Sequence, residues 1–188
     1  MPSTIDRLRV FVSSTIKECA AERAAVREAI RSINHEPILF EDVGARPYPP
    51  REVYRSHLEI SQIFVGIYRE SYGWVAPDMD LSELEDEFRL AQAQGLDRLL
   101  YVYETPSARD PKLQALIEEA KSAGITLAGY IDPEQLKDRV PSEPGRGPGA
   151  ALRLAAQRPR EDAKDRRVAR DGARETGSVN VRWRSEVG

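Results

Sequence analysis

Gln62–Ala91, QIFVGIYRESYGWVAPDMDLSELEDEFRLA, is the stretch whose reading decides the fold. Ile63 to Tyr68 is an apolar, β-branched run bounded by polar residues and too short for a helix, which predicts a buried strand. A loop follows from Arg69 to Asp80, broken by Gly73 and Pro77, with Tyr72 and Trp74 on either side of the glycine. Leu81, Leu84, Phe88 and Ala91 then recur at helical spacing and predict a helix with one apolar face.

Acids crowd the first turns of that helix, and each has a different reason to be there. Ser82 and Glu85 stand three apart in the pattern of a capping box, where hydroxyl and carboxylate each satisfy a free backbone N–H. Glu83 lies in the first turn, where the helix dipole suits any carboxylate. Glu87 is left over. At about 100° per residue it sits roughly 80° from the centre of the apolar stripe, at the edge where helix meets sheet. A half-shielded carboxylate there has a raised pKa and is fitted for chemistry; a solvated edge glutamate is the alternative.

Working outward, Leu8 to Ser13 is a first strand, and Thr15 with Glu18 forms a second capping-box pattern that starts a helix through Ile16, Cys19, Val26, Ile30 and Ile33. Ser13, Ser14 and Thr15 therefore join a strand end to a helix start, the edge at which open α/β sheets bind ligands. Pro37 to Phe40 is a short second strand, followed by the proline-rich loop EDVGARPYPP, from which Asp42 and Arg46 can reach a ligand. Pro50 opens a helix to about Ile60. Beyond the central stretch come a strand over Arg98–Tyr103, a helix over Pro111–Ala123, a strand over Thr126–Tyr130 and a short helix from Asp132-Pro133 to Val140. Five β-α alternations with short connections predict a parallel sheet covered on both faces, a three-layer α/β sandwich with five strands.

From Pro141 on, proline, glycine, arginine and small residues dominate, and 11 basic residues face 7 acidic ones. The expected division is an α/β domain over residues 1–140 and a linker or disordered tail over 141–188. The whole chain of 188 residues carries a net charge of −3, so bulk electrostatics recruit neither nucleic acid nor membrane. With neither GxGxxG nor GxxxxGK[ST] present, a standard dinucleotide site and a P-loop are disfavoured. The two histidines have no metal-like spacing, so no metal and no cofactor is expected. One cysteine, Cys19, excludes an internal disulfide. The lack of a signal peptide or an apolar run of membrane length predicts a cytoplasmic protein.

Three segments in order, VFVSSTIKECAAERAAVREAI, SQIFVGIYRESYGWV and SELEDEFRLAQAQGLDRLLYVYE, resemble the domain of unknown function numbered 4062, a relative of TIR domains and of nucleoside deoxyribosyltransferases. The resemblance covers about residues 7–140. It implies a flavodoxin-like or TIR-like fold and a signalling or effector module, found ahead of NTPase or repeat domains and acting by self-association or with protein partners in antiphage defence. It also implies a possible nucleotide ligand or substrate, NAD included, with N-glycosidase activity. Glu87-Phe88-Arg89-Leu90-Ala91 is similar to the transferase pattern, which carries the catalytic role to Glu87 and leaves Glu85, with Ser82, as the cap. Ser13 and Ser14 stand where TIR domains place their first loop, and Tyr72 or Trp74 is then expected to stack on a departing base.

Overall fold

The computed structural model describes residues 7–43 and 50–140. Five strands, β1 (Arg9–Ser13), β2 (Glu36–Ile38), β3 (Ile63–Tyr68), β4 (Asp97–Tyr103) and β5 (Leu127–Tyr130), form one sheet in the order β2-β1-β3-β4-β5, every pair parallel. Helices α1 (Ala20–Ser32), α2 (Pro50–Ile60), α3 (Glu83–Ala93), α4 (Pro111–Ser122) and α5 (Pro133–Arg139) alternate with them. This is the three-layer α/β sandwich that the alternation predicts.

β3 is central and every one of its residues is buried, as its apolar run requires of a strand covered on both sides. Side chains alternate across it. Ile63, Val65 and Ile67 join Val10 and Val12 under α1 and α5, while Phe64 and Tyr68 join Phe11 and Leu100 under α2, α3 and α4. Phe64 stacks on Phe11 with ring centroids 6.1 Å apart and meets Phe88 of α3 edge-on at 6.2 Å. This aromatic chain, of a kind worth more than its buried area, fixes how α3 lies on the sheet and so where Glu87 points.

Two expectations are corrected. Phe40 is not the end of a strand: β2 stops at Ile38 and residues Phe40–Val43 form a 3-10 helix. The helix after β1 starts at Ala20, not at Thr15, because the capping box does not form; residues 16–19 are turns and the Cys19 side chain caps no N–H group. Glu18 has better partners elsewhere. Its carboxylate accepts from the backbone N–H groups of Glu70 (3.1 Å) and Ser71 (3.2 Å), from Ser71 Oγ (3.2 Å) and from Thr15 Oγ1 (2.7 Å). The expected tail over 141–188, and Arg46 in the loop after β2, lie outside the described residues.

Candidate active site

The order β2-β1-β3 means that the chain leaves β1 in one direction, then returns across it to β3. The C-terminal ends of β1 and β3 are thus the topological switch point, where open α/β sheets have their crevice. Ser13 and Gly66 are direct neighbours there in the β1–β3 register, and alternation turns both toward α2 and α3. Two small residues side by side leave a hollow in the sheet surface. Tyr68 folds back into it: a Cβ on Gly66 would stand 2.9 Å from both Cζ and Oη of Tyr68 and 2.8 Å from Cδ2 of Leu100, so any larger residue displaces one of those side chains.

Glu87, on the second turn of α3, brings its carboxyl to the same corner. The side chain is only 9% exposed, and it makes no hydrogen bond of regular geometry among the described residues. Burial pushes its pKa up to about 8; the Ser13 hydroxyl and the Arg23 guanidinium pull it down, and the charges of Glu83 and Asp86 push it further up. Ser13 Oγ and Tyr68 Oη are buried and make no hydrogen bond of regular geometry. The Tyr68 phenol is held well above its ordinary pKa by burial first and by the facing Glu87 charge second. Two hydroxyls without a hydrogen bond of regular geometry therefore meet the buried Glu87 carboxyl at one corner, although buried polar groups are nearly always paired.

Around this corner the remaining groups are tightly paired. Asp86 accepts from Tyr54 Oη at 2.7 Å and from Nε and Nη2 of Arg51, both at 3.2 Å, which ties α2 to α3. Arg23, itself buried, donates to Glu41 through Nε and Nη2 and to Ser14 Oγ through Nη1 at 2.8 Å. Ser14 thus adjoins the site through Arg23, while Asp42 is an exposed partner of Arg27 at 2.8 Å. Thr15 Oγ1 is taken by Glu18.

The cap of α3 has an added member. Ser82 Oγ accepts from Glu85 N–H at 3.3 Å as the box requires, but the return contact runs through a phenol. Tyr72 Oη accepts from Ser82 N–H at 3.3 Å and donates to Glu85 Oε2 at 2.5 Å. Tyr72 is buried in this role. Trp74 is 61% exposed, and its carbonyl accepts the Glu83 N–H at 3.2 Å, which joins its backbone to the first turn of α3.

Of the residues singled out in the sequence, Ser13 and Glu87 meet. Tyr68, Asp86, Tyr54 and Arg23 were not singled out. The run Glu85-Asp86-Glu87 held a signal for Asp86, since cap and dipole do not need three consecutive acids. Tyr68 gave none beyond its place in a strand. Among the described residues no group of three or more His, Cys, Asp or Glu side chains is placed to hold a metal ion, and no helix is long and apolar enough to cross a membrane.

Residues 9–143 match a sequence family described as a domain of unknown function, DUF4062. The chain belongs to this family. It is the family that the three segments resembled, and its description assigns DUF4062 no chemistry. Among curated proteins none matches the chain. Two solved structures are similar in fold. A CMP N-glycosidase from Clostridium botulinum, BcmB, is 15% identical, with a TM-score of 0.48 over 70% of this chain and 96% of its own. The Flv1 flavodiiron core from Synechocystis sp. PCC6803 is 11% identical, with a TM-score of 0.44 over 82% of this chain and 36% of its own.

Proposed function

We propose that the protein cleaves the N-glycosidic bond of a nucleoside or nucleotide, with Glu87 as the acid–base residue. The observation that carries this reading is a buried carboxyl at the switch point between β1 and β3, beside the Ser13 and Tyr68 hydroxyls that make no regular hydrogen bond. Near neutral pH Glu87 keeps its proton, because its pKa lies at about 8, and a general acid works best when its pKa is near the working pH. As the bond from C1′ to the base nitrogen breaks, its electron pair passes to the base and the Glu87 proton follows. The carboxylate left behind then faces the oxocarbenium charge at C1′. Water adds to C1′ and returns a proton to Glu87. Substrate and water become free base and a sugar with a hydroxyl on C1′, and no cofactor is consumed. NAD needs no proton for its leaving group, so it uses this site less fully than a nucleotide with a neutral base. Exposed Trp74 is assigned to stack on that base; Tyr72 is committed to Glu85.

The test is release of free base from ribonucleosides, ribonucleotides and NAD, followed by chromatography at low and high protein concentration. Glu87→Gln, which keeps shape and removes the titrating group, lowers turnover at least about 100-fold. If wild type releases no base at any concentration, or the Gln variant matches it, the reading fails.

A second reading, association with protein partners or with copies of itself in signalling or defence, is favoured by exposed apolar side chains. Ile16 follows β1, Trp74 follows β3 and Ile131 follows β5, all exposed and all at the edge that holds Glu87. Light scattering across a concentration series checks it. A monomer throughout removes self-association.

A further inference from the structure

The Glu87 carboxyl and the two hydroxyls beside it that make no regular hydrogen bond, Ser13 Oγ and Tyr68 Oη, differ in what they offer. Ser13 and Tyr68 present hydroxyls, each able to donate once, and Glu87 presents a carboxyl with one oxygen to accept while the other carries the proton. A single ligand hydroxyl, with one hydrogen and two lone pairs, matches that set: it donates to Glu87 and accepts from Ser13 and Tyr68. Its position on the ligand follows from the site. If Glu87 acts at C1′ and both hydroxyls lie against Glu87, the ligand group they meet is the one on the carbon next to C1′. We infer that Ser13 and Tyr68 read the 2′-hydroxyl of the sugar, which makes the site selective for ribose over 2′-deoxyribose. The inference rests on the N-glycosidase reading of Glu87 and adds the substrate class to it.

The energetics run the same way. A buried hydroxyl without a partner costs stability in the empty protein, and that cost is removed only by a ligand that pairs with it. A site built to bond a substrate hydroxyl rejects the analogue lacking it more strongly than an apolar pocket rejects a missing methylene, because the protein groups are then left unpaired. Gly66 belongs to the device, since its missing Cβ is the space that the Tyr68 phenol occupies. The other buried oxygens without partners, Glu22 Oε2 and Tyr130 Oη, lie under the opposite face of the sheet. There Glu22 is neutralised by Arg69 at 2.7 Å, and Arg69 in turn lies over the Tyr103 ring. Glu87 has no such cation bonded to it.

Binding to the Glu87→Gln protein separates recognition from turnover. Calorimetry is run with matched pairs: adenosine and 2′-deoxyadenosine, cytidine and 2′-deoxycytidine, and their 5′-monophosphates. The ribose member binds at least 10-fold more tightly. Adding Tyr68→Phe or Ser13→Ala weakens it about 10-fold while leaving the deoxy member unchanged. Melting of the ligand-free single variants is the control, because loss of a hydroxyl without a partner leaves Tm equal or higher, whereas a structural role lowers it. Equal affinity within each pair, or variants that weaken both members alike, overturns the inference and leaves the Glu87 reading standing. Selective binding by a wild type that releases no base overturns that reading and leaves the inference. Absence of binding to any pair and of base release by the wild type overturns both.

Discussion

Glu18 and Glu87 are two carboxylates near the C-terminal edge of one sheet, and they end in opposite conditions. Glu18 accepts from a hydroxyl of its own turn, from two backbone N–H groups and from a second hydroxyl across the β1–β3 boundary. Glu87, more deeply buried, accepts no regular hydrogen bond among the described residues and is held neutral by its surroundings. Carboxylates of the first kind are finished parts of a structure. One of the second kind weakens the fold unless a ligand supplies what is missing, and such strain marks functional sites.

The largest effect that sharpens this contrast is on stability as pH rises. Glu87 has a folded pKa of about 8 against an ordinary 4.5, so between those values the folded state holds a proton that the unfolded state has lost. Stability from this group is fully present below pH 4.5, falls as pH rises through the interval, and levels off above about pH 8. Wild type and Glu87→Gln therefore melt alike near pH 4.5, and the Gln variant is the more stable by on the order of 4 kcal/mol at pH 9. Parallel melting curves across that range would break the contrast by showing Glu87 ionised at little cost.

Glu18→Ala is expected to act in the opposite sense. It strips partners from Glu70 and Ser71 N–H and destabilises by about 2 kcal/mol, a fall in Tm of about 4–8 °C at this size. Proteolysis within Arg69–Asp80 should quicken in the variant. A variant as stable as wild type would mean that Glu18 is no more of an anchor than any surface acid.

The smallest effect concerns the helix cap. Glu85→Gln keeps an acceptor for the Tyr72 phenol and costs at most about 1 kcal/mol, part of it from the half-buried pair with Arg89 at 2.9 Å. Base release stays within a few-fold of wild type, against the 100-fold loss from Glu87→Gln two residues away. If the two phenotypes are exchanged, Glu85 is the chemical residue and Glu87 the structural one.

Much of this was legible in the residues alone. The short apolar run Ile63–Tyr68 gives the buried strand, and the period of 3.6 in Leu84–Ala91 gives the helix and its apolar face. The angle of Glu87 on α3 separates it from the capping Glu85. What local pattern does not carry is competition from distant partners. Thr15 and Glu18 have the spacing of a capping box, yet Glu18 is drawn away by N–H groups 52 and 53 residues along the chain. Tyr72 enters the α3 cap from ten residues upstream of Ser82. Tyr68 is visible as more than a strand residue only once the register sets Ser13 beside Gly66.

The reach of Glu18 also bears on how the chain is made. A polypeptide that emerges from its N-terminus has β1 and α1 complete long before Glu70 and Ser71 exist, and until then the turn at residues 16–19 lacks the contacts that fix it. The β1–α1 unit therefore stays unfinished during synthesis until β3 has joined the sheet and the residues just after it have arrived. Non-local closures of this kind set the pace of α/β folding. In this chain one of them is a glutamate that waits for about 50 residues to follow it.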